Sequence, residues 1–127
     1  MNRWRVVIAL AVGGAIGTNA RHWLGLWVRE WAGTKFPWGT FLINVSGSFA
    51  IGFLAMSLDR WVRPPELRLM VITGFLGGYT TFSAYSLETL LIWERGEPVR
   101  ALVYLAGSAL TGLAAVTLGV MLGRQCT

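Results

Sequence analysis

The sequence predicts an all-α membrane protein with four transmembrane helices, the third of them broken at mid-membrane. Charged residues make up only 13% of the chain against 54% hydrophobic, with a mean hydropathy of +0.55, far from an ordinary soluble composition. The charges gather in short clusters that separate four apolar runs: Val6 to Ala20, Phe36 to Leu58, Leu69 to Leu87, and Ala101 to Gly123. In the third run, glycine and hydroxyl residues fill the middle, where a lipid-facing helix would carry leucine, isoleucine and valine. The chain of 127 residues reads as a single domain, 1–127, with spans near 4–28, 36–58, 67–93 and 99–124 and a break near 77–80.

The first span contains Asn19, Arg21 and His22 and extends to about Val28. Met1 to Arg5 followed by an apolar stretch also suits a secretory signal. Gly13 and Gly17 in GxxxG spacing, with apolar character resuming at Trp23, favour a retained, packed helix. Arg21 either snorkels to the headgroups or faces the assembly interior, where it would attract an anion at a pore mouth. Trp23, Trp27 and Trp31 look like interfacial anchors.

Span two follows a short polar loop ending at Pro37, a residue suited to a first helical turn. Thr40, Asn44 and Ser48 recur every fourth residue and so share one helix face. Asn44 lies close to the middle of the span, and an amide at that depth needs a partner. Interhelical hydrogen bonding and pore lining are both open to this stripe.

Span three is the free run of 19 residues between Arg68 and Glu88, about one hydrocarbon thickness of helix. Gly74, Gly77 and Gly78 precede Thr80, Thr81 and Ser83 at its centre. Unwound backbone at that depth is tolerated only where protein or a polar cavity surrounds it, which makes a break here a candidate ion or substrate site. A continuous helix whose glycines merely permit close packing is the alternative. Beyond the break, Phe82 and Tyr85 share a face, and an aromatic ring has a positive edge that can face an anion. Glu88 closes the span, at headgroup level or paired with an arginine. On span four, Tyr104, Ser108 and Thr111 form a further polar stripe.

A net charge of +5 and a pI near 10.4 do not indicate nucleic acid, because the basic residues flank the spans. Their distribution is nearly even: six lie on the side of both termini and four or five on the other, a poor bias under the positive-inside rule. A homodimer whose subunits insert in opposite directions fits that balance and would cross two broken helices at the midplane. Carbonyls freed at each break could then ring a cation. The single cysteine, Cys126, allows no intramolecular disulfide. One histidine and scattered edge acids form no nucleophile and base pair, so an enzyme is not expected.

Three motifs connect these features. They are G-G-A-I-G-x-x-x-R at Gly13 to Arg21, W-G-T-x-x-x-N at Trp38 to Asn44, and G-F-L-G-G-Y-T-T-F-S-x-Y-S-x-E at Gly74 to Glu88. With Tyr104 and Ser108 they make the chain resemble the Fluc (CrcB) fluoride channels along nearly its whole length. The resemblance implies an antiparallel, dual-topology homodimer in a bacterial or archaeal-type cell membrane. Two pores per dimer would passively export toxic fluoride. It also implies a structural sodium ion at the dimer centre, held by the backbone carbonyls of Gly77 and Thr80. Asn44 and Phe82 match the fluoride-coordinating amide and ring, Thr40 a pore-lining hydroxyl, and Tyr104 and Ser108 a polar track. Arg21 and Glu88 match positions at the vestibule and the end of the broken helix. Tyr85 stands where the family usually has phenylalanine, and Gly112 where it often has serine or threonine. The rival readings are a small-multidrug-type exporter of organic cations, which needs a carboxylate within span one, and a non-conducting membrane scaffold.

Overall fold

A computed structural model describes residues 1–61 and 64–126. Among them the only regular elements are helices: α1 (Arg3–Ala32), α2 (Trp38–Trp61), α3 (Pro65–Leu69), a π-helical stretch (Met70–Leu76), α4 (Gly77–Tyr79), α5 (Phe82–Glu94) and α6 (Pro98–Gln125). By length and composition, α2 and α6 are each able to cross a membrane.

The helix ends follow local chemistry. The Asn2 side chain accepts from the Trp4 amide at 2.9 Å and starts α1. Gly33 and Gly96, with φ of 82° and 80°, end α1 and α5 in the left-handed region that only glycine enters without strain. Pro65 and Pro98 occupy the first turns of α3 and α6, where a missing amide hydrogen costs nothing.

Two pairings build the bundle, α2 against α6 and α1 against the π-helical stretch with α4; α1–α2 and α5–α6 contacts join them. Both pairings rest on the absence of side chains. A Cβ at Gly17 would strike the Phe75 carbonyl, with the carbonyl carbon at 2.8 Å, and one at Gly123 would meet the Phe53 carbonyl oxygen at 2.6 Å. Backbone meets backbone at these crossings, the close approach that small residues permit between membrane helices.

The buried core is correspondingly small. Tyr85, Ile92, Ala101 and Tyr104 form its main cluster, with Phe36 and Phe41 against it. Large apolar side chains point outward along every long helix, among them Ile16, Leu90, Leu110 and Leu113. This is the arrangement of a chain whose surroundings are themselves apolar.

Between α4 and α5 the chain leaves helical geometry for two residues. Thr80 (φ −85°, ψ 156°) and Thr81 (φ −149°, ψ 115°) are extended. The π-helical stretch before them has no counterpart in the sequence expectations. Its i→i+5 bonding puts an extra residue into the turn and so rotates everything after it about the axis.

Candidate functional site

The two extended threonines release backbone groups that a continuous helix would pair, and neighbouring side chains take up several of them. In an unbroken helix the Thr81 amide would go to the Gly77 carbonyl and the Ala84 amide to the Thr80 carbonyl. Instead the Thr81 amide donates to Asn44 Oδ1 at 2.8 Å, and the Ala84 amide donates to Thr81 Oγ1 at 3.1 Å. Thr81 is thereby the N-cap of α5. Asn44 also returns a bond, its Nδ2 donating to the Thr81 carbonyl at 3.0 Å. One amide of α2 thus holds both backbone groups of Thr81, and one of its two Nδ2 hydrogens is left over. The Gly77 and Thr80 carbonyls have lost their helical donors.

Arg21 serves the same region. Its Nε donates to the Gly78 carbonyl at 3.0 Å and its side chain is half-buried. The snorkelling expected of an arginine near a span's end gives way here to an exposed carbonyl at the end of α4, a partner with negative dipole character.

Two cavities flank the break. One, of about 520 Å³, opens between α1, α2 and α5 and is bordered by Arg21, Arg29, Arg95, Thr40 and Glu88. The other, of about 570 Å³, lies between α2, the π-helical stretch, α4, α5 and α6; it is bordered by Asn44, Ser48, Gly77, Thr80, Phe82, Tyr85 and Ser108 and carries no charged side chain. Thr81 borders both.

In the first cavity Thr40 Oγ1 donates to Glu88 Oε2 at 3.0 Å, so among the described residues a hydroxyl and not an arginine is the hydrogen-bond partner of this carboxyl. Glu88 Oε1 is buried without a hydrogen-bond partner, as are the Tyr104 hydroxyl and Ser108 Oγ. In the second cavity Phe82 is 78% exposed while Tyr85 is only 9% exposed. The Tyr85 hydroxyl donates to the Leu105 carbonyl of α6. Its ring lies 5.9 Å from Phe82 and edge-on to Tyr104 at 5.2 Å. The added hydroxyl of this tyrosine is therefore spent on backbone.

The residues singled out from sequence separate by level. Arg21, Thr40 and Glu88 face the first cavity, and Asn44, Phe82, Tyr85, Ser108, Gly77 and Thr80 the second. Tyr104 borders neither; it is fully buried beneath Tyr85. Thr111, expected in the polar stripe, is exposed and borders neither cavity, and Gly112 occupies that place on the face. Thr81, the residue on which the site turns, was seen in the sequence only as one of several hydroxyls. Its signal was present as a threonine directly before a helical start.

Residues 8–120 match the family of CrcB-like proteins, described as Camphor Resistance (CrcB). The chain belongs to the CrcB family. Curated relatives named fluoride-specific ion channel FluC cover nearly all of it. One from Nitrobacter winogradskyi is 42% identical over 123 residues, spanning 96% of this chain and 98% of that protein. Another from Rhizobium meliloti is 44% identical over 119 residues, 93% of this chain and 95% of its own length. A third, from Rhizobium johnstonii, is 47% identical over 118 residues, 92% and 94% of the two chains. Membership places this CrcB chain among membrane proteins, in agreement with its outward-facing apolar helices.

Proposed function

We propose that this CrcB chain is a fluoride-selective channel that lets fluoride run passively out of the cytoplasm across the plasma (inner) membrane and so limits its toxicity. The observation that carries the reading is the pair of cavities meeting at Thr81, one bordered by arginines, the other neutral and lined by donors and ring edges. The curated relatives' name points the same way.

Fluoride is small and strongly hydrated, so bringing it into an apolar layer requires donors that replace water. Arg21, Arg29 and Arg95 raise the local concentration of anions at the mouth. Beyond Thr81 the spare Asn44 N–H, the Ser108 hydroxyl and the positive edge of the exposed Phe82 ring offer partial charges only. An anion met by dipoles alone is held weakly enough to leave.

Two copies in opposite orientation complete the site in this reading, giving two pathways. The near-even split of basic residues supports it, as does the outward exposure of Phe82 and Gly77 beside the break. The diverted Thr81 and Ala84 amides leave the Gly77 and Thr80 carbonyls facing a second copy, and backbone oxygens suit a hard cation such as sodium. Among the described residues no three of His, Cys, Asp and Glu gather to hold a metal instead. Bound there, sodium supplies a fixed positive charge at the dimer centre. Asn44 holds both backbone groups of Thr81, and Arg21 occupies the Gly78 carbonyl, so the Gly77 and Thr80 oxygens are the ones left for the cation.

The exporter reading requires an acid inside the first span; the acid of α1 is Glu30, at its far end. Fluoride efflux from liposomes holding the purified protein tests the channel. Efflux well above that of empty vesicles is expected, with chloride excluded and Phe82→Ile markedly slower. Flux no greater than from empty vesicles rejects a channel, and equal chloride flux rejects selectivity. Dimer stability that changes with Phe82 while flux does not would favour a scaffold.

A further inference from the structure

We propose that the Ser48 hydroxyl, delivered from α2, is the hydrogen-bond donor that meets the anion at the level of Gly112, where α6 has no side chain to offer. The inference rests on the channel reading above and adds a residue to it.

Tyr104, Ser108 and Gly112 follow one another at four-residue spacing and so lie along one face of α6. The first two carry buried hydroxyls without partners, and at the third the strip of donors stops. The nearest atom that a Cβ at Gly112 would meet is Ser48 Oγ, at 3.5 Å, an ordinary contact distance. Ser48, Ser108 and Gly112 border the same uncharged cavity of about 570 Å³. The hydroxyl missing from α6 is thus replaced from the facing helix.

The Ser48 hydroxyl is available for this. In the structure it donates to the Asn44 carbonyl one turn back, at 2.7 Å. Such a local bond only supplements the helix's own pairing. A serine hydrogen turns about a single bond, so it exchanges that carbonyl for an anion in the cavity without moving the helix. Ser48 is next along the face from Asn44, whose spare N–H serves the level above.

The test measures fluoride efflux from liposomes containing the full-length protein. Ser48→Ala is expected to slow efflux about tenfold, the effect of one lost hydrogen bond on a rate, with the protein's assembly unchanged on size exclusion. Adding Gly112→Ser to Ser48→Ala returns a hydroxyl to the same spot from the other helix. That double variant is expected to recover to within about threefold of wild type, less than half a tenfold step in free energy. Ser48→Thr and Ser48→Val, alike in volume and different in the hydroxyl, guard against a packing artefact; threonine should conduct near the wild-type rate and valine about tenfold more slowly, as alanine does. Wild-type rates in Ser48→Ala, no recovery in the double variant, or equal flux from the threonine and valine proteins overturn the assignment. Wild-type protein that passes no fluoride refutes the channel reading itself.

Discussion

Replacing Asn44 with alanine removes both bonds that fix Thr81, and the consequence can be worked out from the geometry. The Thr81 amide loses its acceptor at 2.8 Å and the Thr81 carbonyl its donor at 3.0 Å. A net hydrogen bond contributes about 1 kcal/mol in proteins generally, and polar pairs between membrane helices average nearer ~0.6 kcal/mol. Burial of the orphaned groups would raise the cost, but Thr81 borders both cavities and water can reach it. A local loss of about 1.2–2 kcal/mol follows, corresponding to roughly eightfold to thirtyfold faster amide exchange at Thr81. Hydrogen-exchange mass spectrometry on reconstituted protein reads this directly, with peptides from α2 and α6 as internal controls. Asn44→Asp keeps the acceptor for the amide and loses the donor to the carbonyl, so its exchange at Thr81 should lie between wild type and Asn44→Ala. Exchange in Asn44→Ala within about threefold of wild type, or equal effects from both variants, refutes the role given to this amide.

Two further outcomes follow from contacts elsewhere. Gly17→Ala forces a methyl against the Phe75 backbone and should cost about 1–3 kcal/mol, whereas Gly107→Ala, in α6 with open space around it, should leave stability unchanged or raise it by up to ~1 kcal/mol; thermal unfolding in detergent compares the two. Tyr85→Phe deletes the hydroxyl given to the Leu105 carbonyl and should cost about 0.5–1.5 kcal/mol. Because that hydroxyl is tied to backbone, fluoride efflux should persist, and loss of flux at unchanged stability would contradict the assignment.

The helical architecture was legible because charges and apolar runs alternate along the chain, and because burial in lipid leaves a polar residue few options. Asn44 illustrates the point: its depth alone required a partner, though only the fold identified that partner as the backbone of Thr81, 37 positions away. Arg21 illustrates the limit. Its place in the first span suggested headgroups, and the Gly78 carbonyl that holds it exists as an open acceptor only because a different segment breaks. The π-helical stretch left no periodic trace, since one widened turn changes hydrogen bonding without changing composition. Thr111 and Gly112 differ by about 100° around α6, enough to exchange a hydroxyl for a gap on the face that matters.

The place of Thr81 on the border of both cavities also bears on where an electric field would act. In the channel reading, recesses that admit water from either side carry the bulk potential inward, so a voltage imposed on the bilayer drops mainly over the residues between them. An elementary charge crossing the full drop exchanges about 2.3 kcal/mol per 100 mV. On that reading the work is concentrated on a step past Thr81, which borders both cavities, and the asparagine that grips it.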